Sequence, residues 1–336
     1  MAHVPGGPQA SDAHPGGAPG AEALVDAGLR AWQDGDRLGA ASAWHQALHA
    51  AEGQGDMRLV GAAQFNLAVL LADRGDADSA RVGFDAAYAA WGDGVDRRWV
   101  AQALAAGGDR LHAAGELEPA RRHLEAALAL RRELGDRDAM AGLLDRLGEI
   151  ARTRSGPAEA RVWWEEAIGL HRRLRNGPAL ITTLVRLARL EIELERAREA
   201  QTWAIAAIEV PGTEIELRPA VDLLTELAGL AVDRADWPAA RACATSAMSR
   251  PLSDPVARGD LAALLATVAW ADHDAPLALR WGREALEPLR SHRDAALPAL
   301  LHDLGILALE AGDIDAATTY LDEALALERD RDEGDR

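Results

Sequence analysis

The chain has no lysine, a single cysteine, few aromatic residues and no long uninterrupted apolar run. Because Cys243 stands alone, no disulfide can form within the chain, which favours a reducing compartment. No segment approaches the ~18 continuous apolar residues of a membrane-spanning helix, and the first residues lack the basic start and apolar run of a signal peptide. We therefore expect a cytoplasmic protein with a disordered N-terminal tail over residues 1–20.

Acidic residues outnumber basic ones by 54 to 36, which gives a formal net charge of −18. A surface of this sign repels phosphate backbones and anionic lipid unless a local basic stripe offsets it, and the sequence shows no such stripe. These observations argue against nucleic-acid and membrane binding. They favour a protein or peptide partner with cationic or neutral and apolar contact groups.

Small residues recur along the chain with a period of about forty residues. One column holds only alanine, and a second alanine column follows it seven residues later. A third column lies twelve residues before the first and holds only glycine or alanine. This pattern is far more regular than an alanine-rich composition alone would produce. The first column consists of Ala40, Ala80, Ala120, Ala160, Ala200, Ala240, Ala278 and Ala317.

Each period contains two amphipathic helices. Leucines from Leu180 to Leu194 recur at steps of three and four, the spacing of one helix face. Tight turns such as Arg74-Gly75-Asp76 separate the helices of a pair, and Pro119, Pro157, Pro238 and Pro276 fall in first turns, where a missing N–H costs least. With no strand-like alternation, the pattern predicts an all-α fold.

The first helix of the repeat unit has a small residue after leucine, a glycine turn follows, and the second helix contains alanine, a bulky residue and then Ala-Leu. This repeat unit resembles the tetratricopeptide repeat (TPR) family, in a longer-period variety. The resemblance implies a right-handed superhelical solenoid of eight antiparallel helix hairpins over residues 21–331, followed by a charged tail at 332–336. The bulky position holds Ala204, Ala244 and Gly282 in three repeats, so the register there stays open. The repeats should start near residues 21, 61, 101, 141, 181, 221, 259 and 298.

The same resemblance implies that the first helices line a concave groove that binds a peptide. Asn66 could hold the backbone of an extended peptide or be an ordinary surface residue. The arginines could grip a carboxylate or form solvated helix pairs, and the tryptophans could be anchors or inter-repeat core. The groove candidates are Trp32, Phe65, Asn66, Val69, His112, Asp145, Glu149, Arg152, Arg186, Arg189, Trp270 and His302.

No residue cluster in the sequence indicates catalysis or a cofactor. Asp272-His273-Asp274 falls at a turn, where aspartate commonly caps a helix, and Cys243 lies among alanines as a small buried filler. We therefore expect a non-enzymatic scaffold or adaptor without cofactors. The alternatives are a ligand-responsive regulator that acts in trans by closure of the superhelix, and an enzyme or enzyme accessory using Asp109, His112, Asp145 and Glu149. The last repeat could also mediate weak self-association.

Overall fold

A computed structural model describes residues 20–92, 95–250, 254–292 and 296–334, without side-chain detail at 214, 292 and 330–334. Over these ranges the backbone consists of helices and the turns between them, with no strand. The all-α prediction is confirmed. Residues 1–19 of the tail predicted over residues 1–20 lie outside the described residues, as do residues 335–336 at the other end.

The chain divides into two compact units, Met1–Leu174 and Arg175–Arg336. In unit 1 consecutive helices pair as antiparallel hairpins, each with a first and a second helix. The hairpins are α1 (Ala21–Gln33) with α2 (Arg37–Gln54), α3 (Met57–Asp73) with α4 (Ala77–Trp91), α5 (Arg97–Ala113) with α6 (Leu117–Glu133), and α7 (Arg137–Arg154) with α8 (Pro157–Leu174).

Unit 2 repeats the arrangement over its described residues. Its last helix continues through the charged run that the sequence assigns to a tail, so the helical segment extends a few residues further than predicted. The hairpins are α9 (Gly177–Glu193) with α10 (Ala197–Glu209), α11 (Glu214–Asp233) with α12 (Trp237–Met248), α13 (Pro255–Ala271) with α14 (Ala275–His292), and α15 (Leu297–Glu310) with α16 (Ile314–Gly334).

The hairpin turns follow one hydrogen-bonding scheme. In the α3–α4 turn, Gly75 adopts φ +81° and Asp76 N–H donates to Leu71 O, while the Asp76 side chain caps α4 by accepting from Ser79 N–H. Positive φ suits glycine, which has no Cβ to clash. Unit 2 builds the α11–α12 turn with Ala235 at φ 55°, and Asp236 N–H donates to Ala231 O in the same way. A glycine signal alone therefore misses some of these turns.

The glycine-or-alanine column lies where the first helix of a hairpin crosses the second. A Cβ at Gly148 would lie 2.3 Å from Nε1 of Trp164, and the Trp164 indole donates to Asp145 O at 3.2 Å. Gly28 and Trp44 repeat this fit, with the Trp44 indole donating to Val25 O at 3.1 Å. Removing the Cβ lets a large ring bury itself against the opposite helix and satisfy its N–H on a main-chain carbonyl.

The open register of the three departing repeats is settled by burial. Ala204 and Ala244 are fully buried at the position that Trp164 occupies in its repeat, and Gly282 is buried there too. A Cβ at Gly282 would meet the Leu304 side chain at 2.4 Å. The columns therefore keep their register, and only the size of the crossing residue changes.

Candidate functional site

Ion pairs join consecutive first helices of unit 1. Arg110 on α5 pairs with Asp73 on α3, and Arg146 on α7 pairs with Asp109 on α5, with Nη1 to Oδ2 at 2.9 Å. Exposed pairs of this kind contribute little stability, at most about 1 kcal/mol each. They pair four charged side chains of the first helices with one another.

Asp145 and Glu149, two of the predicted groove residues on α7, have partners of their own. Asp145 Oδ2 lies 2.9 Å from Nε2 of His171, a buried histidine on α8. Glu149 Oε2 lies 3.8 Å from Nε of Arg152, one turn along the helix. For Arg152, the solvated helix-pair interpretation therefore fits the geometry.

The prediction that Phe65, Asn66 and Val69 line an open groove is wrong. All three are buried, and Phe65 packs 5.2 Å from Phe84 between ring centroids. The reason is that α3 packs against α1, α2, α4 and α5, so it is apolar on nearly every side. Neither interpretation of Asn66 holds, because its side chain faces neither a groove nor solvent.

Trp32 and His112 of unit 1 are half-buried. The Trp32 ring packs beside the core of the first hairpin, and the Arg37 guanidinium lies 5.4 Å from its centroid. In unit 2, Trp270 packs on a small buried cluster that includes Leu307. The tryptophans thus contribute to the core, one of the two interpretations.

The other predicted residues of unit 2 differ in exposure. Arg189 and His302 are exposed, and Arg186 is half-buried. His302 Nδ1 lies 3.5 Å from Asp303 Oδ1, and burial raises the pKa of the Asp303 carboxyl. The side chains of Arg189 and His302 are therefore accessible to a partner.

An apolar cleft opens in unit 1 between α2, α3 and α4; we call it the second-repeat cleft. Its volume is about 400 Å³, within the roughly 300–1,000 Å³ of ligand pockets. Val82 stands at its edge with 57% of its surface exposed. The lining residues are Ala41, His45, Gln64, Leu67, Ala68, Leu70, Leu71, Arg74, Ser79, Val82, Gly83 and Ala86.

The cleft lining includes a glycine at a position where later repeats carry large residues. Gly83 on α4 corresponds to His123 on α6 and Trp163 on α8, forty and eighty residues later. His123 is buried, with its ring 6.3 Å from the Phe84 ring, and Trp163 packs against the core of unit 1. A side chain cannot simply be added at Gly83, since its Cβ would meet Ala68 Cβ at 2.8 Å.

One residue of the cleft lining carries an unsatisfied buried atom. Gln64 on α3 lines the cleft, and its Oε1 is buried without a hydrogen-bond partner among the described residues. A buried acceptor of this kind costs roughly 1–3 kcal/mol until it is paired. Sequence reasoning missed the cleft, although a repeat-by-repeat comparison around Gly83 and Ala86 contains the signal.

The described part of the chain was predicted to have no metal or cofactor site. It contains no cluster of three or more His, Cys, Asp or Glu side chains that could hold a metal ion. Asp274 caps α14 by accepting from Leu277 N–H, as predicted for that turn. Cys243 is buried, and desolvation raises the pKa of its thiol to about 12, so the thiol stays protonated at neutral pH.

None of the helices, over the residues that the structure describes, combines the length and apolar character needed to cross a bilayer. No protein-family model matches the chain, and no curated protein matches it.

Several solved structures are similar to the chain at low identity. The apo form of RapI is 12% identical over 92% of this chain and 98% of that one, with a TM-score of 0.47. A tetratricopeptide repeat protein from Parabacteroides merdae is 15% identical over 79% and 91%, with a TM-score of 0.45. A signal transduction ATPase with a tetratricopeptide repeat sensor, from Pyrococcus horikoshii, is 13% identical over 92% and 42%, with a TM-score of 0.46.

These structures are distant from the chain, and its fold is assigned from its own helices. Ordered helix hairpins, small residues at each crossing and turns with one shared hydrogen-bonding scheme define a TPR-like helical-repeat fold. Scaffolds of this type are generally used for contacts between proteins, because stacked hairpins present extended surfaces.

Proposed function

We propose that this protein is a non-catalytic scaffold that binds a protein or peptide partner, and that the second-repeat cleft is its contact point in unit 1. The cleft carries the proposal, because it is a recess of ligand size with a mostly apolar lining. At protein–protein interfaces a few residues that fill well-packed pockets carry most of the binding energy.

The chemistry of the lining narrows the partner. The described residues that line the cleft include His45 and Arg74 but no carboxylate. A cationic anchor would find no counter-charge there, and burying an unpaired charge is costly. The cleft therefore fits a neutral, apolar group. The sequence favours a partner with cationic or neutral and apolar contact groups, and the cleft would bind the neutral, apolar ones.

A pull-down from cell extract with matched baits tests the proposal. Val82→Glu places a charge at the cleft edge, while Val162→Glu makes the same change at the corresponding position of α8, where the valine is 62% exposed. We expect proteins captured by the wild type to fall at least about tenfold with Val82→Glu, since a buried or partly buried charge opposes an apolar anchor, and to persist with Val162→Glu.

Circular dichroism confirms that both variants are folded before they are compared. Equal capture by the wild type and Val82→Glu would show that the cleft is not the contact point. Arg189 and His302 in unit 2 remain proposed contacts. Arg189→Ala in the same pull-down measures the contribution of Arg189 to capture.

A further inference from the structure

A second cleft in unit 1 lies where the end of α6 and the start of α7 meet the C-terminal half of α8; we call it the fourth-repeat cleft. Its volume is about 480 Å³. Its lining is largely charged, in contrast to the mostly apolar lining of the second-repeat cleft. The charged lining residues are Arg132, Arg137, Arg173, Glu165 and Glu166.

Both glutamates of this lining already have partners. Glu166 Oε1 lies 2.8 Å from Nη2 of Arg132, which also lines the cleft. Glu165 Oε1 lies 2.8 Å from Nε of Arg161, one turn earlier on α8. Each carboxylate therefore has a cation beside it that is not one of the remaining two arginines of the lining.

Arg137 and Arg173 are these remaining two arginines. Both are exposed, and neither guanidinium group forms an ion pair or a hydrogen bond with another residue that the structure describes. Two unpaired positive charges in one recess attract an anion, and the planar N–H groups of arginine match a carboxylate. The net charge of −18 does not reveal such a site, because the site depends on which charges are paired.

The preceding repeat shows how a carboxylate is held at the corresponding place. Arg97 and Glu133 stand forty residues before Arg137 and Arg173, and they line a similar cleft between α4, α5 and α6. There Arg97 Nη1 lies 2.5 Å from Glu133 Oε2. The fourth repeat thus has a second positive charge on α8 where the third repeat has a carboxylate on α6.

We propose that the fourth-repeat cleft binds an acidic side chain of a protein partner, with its carboxylate paired to Arg137 and Arg173. Met140 and Leu170, which also line the cleft, offer apolar contact to a residue beside the acidic one. That the partner is a protein rests on the proposed function, whereas the charge pattern of this site is independent of the second-repeat cleft.

A carboxylate suits the cleft better than a phosphate dianion does. The two glutamates of the lining are paired, but they still lie beside the ligand, and like charges brought together lower affinity. This repulsion grows with the charge of the ligand. The ion pair of the third repeat also shows that a single carboxylate can neutralise the first-helix arginine.

Fluorescence anisotropy with a short labelled peptide tests the site in the full-length protein. The probe alternates glutamate with leucine, and a matched peptide has glutamine in place of every glutamate. At about 0.15 M salt, we expect the acidic peptide to bind about fivefold more tightly than the neutral one, the fold-change of one well-formed exposed ion pair.

Two variants with the same change of net charge locate the site. Arg173→Glu copies the ion pair of the preceding repeat, so Arg137 is paired within the chain and the acidic peptide should bind at least about fivefold more weakly. Arg172→Glu changes the neighbouring exposed residue outside the lining. It should alter binding less than about twofold, because salt screens charges that are not in contact.

A double variant tests whether the arginine pair is the cause. Glu133→Arg added to Arg173→Glu restores the net charge of the wild type and leaves two unpaired arginines in the cleft of the third repeat. We expect it to recover the affinity for the acidic peptide to within about twofold of the wild type. Circular dichroism checks that every variant is folded.

Equal binding of the acidic and neutral peptides, equal losses in Arg173→Glu and Arg172→Glu, or no recovery in the double variant would overturn the proposal. A peptide with phosphoserine in place of glutamate that binds more tightly would overturn the choice of a carboxylate. The pull-down separates these failures from that of the proposed function. If Val82→Glu leaves capture unchanged while Arg173→Glu weakens the acidic peptide, the second-repeat cleft fails and the fourth-repeat cleft stands.

Discussion

The two units build the same helix crossing with side chains of very different size. In unit 1 the crossing pairs Gly28 with Trp44 and Gly148 with Trp164, and each indole also makes a buried hydrogen bond. In unit 2 the crossing position holds fully buried alanines such as Ala204. Register is thus shared by all the described repeats, whereas the volume at the crossing is set pair by pair, with tryptophan opposite glycine in two hairpins and Phe84 opposite Ala68 in another.

The largest expected effect comes from emptying an aromatic crossing in unit 1. Trp164→Ala would place in α8 the residue that α10 carries naturally at Ala204, but opposite Gly148 it leaves a cavity. We expect unit 1 to lose about 3–5 kcal/mol of unfolding free energy. Urea unfolding followed by circular dichroism measures it. A loss below ~1 kcal/mol would show that the helices close over the gap, as the alanine crossings of unit 2 already do.

A smaller loss of unfolding free energy is expected when a side chain is added at the glycine of the same crossing. Gly148→Ala puts a Cβ 2.3 Å from Trp164 Nε1, so we expect destabilisation of about 1–3 kcal/mol, although alanine favours helix. Gly169→Ala on α8 is the control, because nothing lies within 4 Å of its Cβ position, and it should be neutral or stabilising by up to ~1 kcal/mol.

A second variant decides whether volume is the cause. Gly148→Ala combined with Trp164→Phe recreates the Ala68 and Phe84 pair of the second repeat, and it should recover part of the loss in the same unfolding assay. If the double variant is no more stable than Gly148→Ala alone, the crossing does not depend on matched size.

The smallest effects concern the hairpin turns. Ala235 in unit 2 holds the left-handed conformation that Gly75 holds in unit 1, at φ 55° and φ +81°. Ala235→Gly should therefore stabilise the protein, and Gly75→Ala should destabilise it, each by about 1 kcal/mol. Thermal unfolding with opposite shifts of Tm would confirm the comparison. Shifts of the same sign in both variants would contradict it.

Periodicity predicts the hairpins well because local sequence decides them. Glycine and aspartate at turns such as Gly75 and Asp76, and proline in first turns, act within a few residues of chain. Ala235 shows the limit of that reasoning, since hydrogen bonds from the flanking helices hold its turn without glycine.

The candidate site is much less predictable, because burial depends on how many helices surround a residue. Asn66 has a polar side chain and a groove-lining position in the repeat, yet packing of α3 on four helices buries it. The second-repeat cleft likewise involves a difference in side-chain size between repeats, with Gly83 in one repeat where the next has His123. No single motif contains that difference.

The pairing of Gly28 and Gly148 with a tryptophan sixteen residues later has a consequence for recombination. A crossover placed in the turn after α6, at Gly135, transfers Gly148 and Trp164 together and leaves their fit intact. A crossover inside the hairpin, at Gly156, would separate them and oppose a tryptophan to whatever residue its new neighbour carries. Whole hairpins, and not single helices, are therefore the exchangeable parts of this chain.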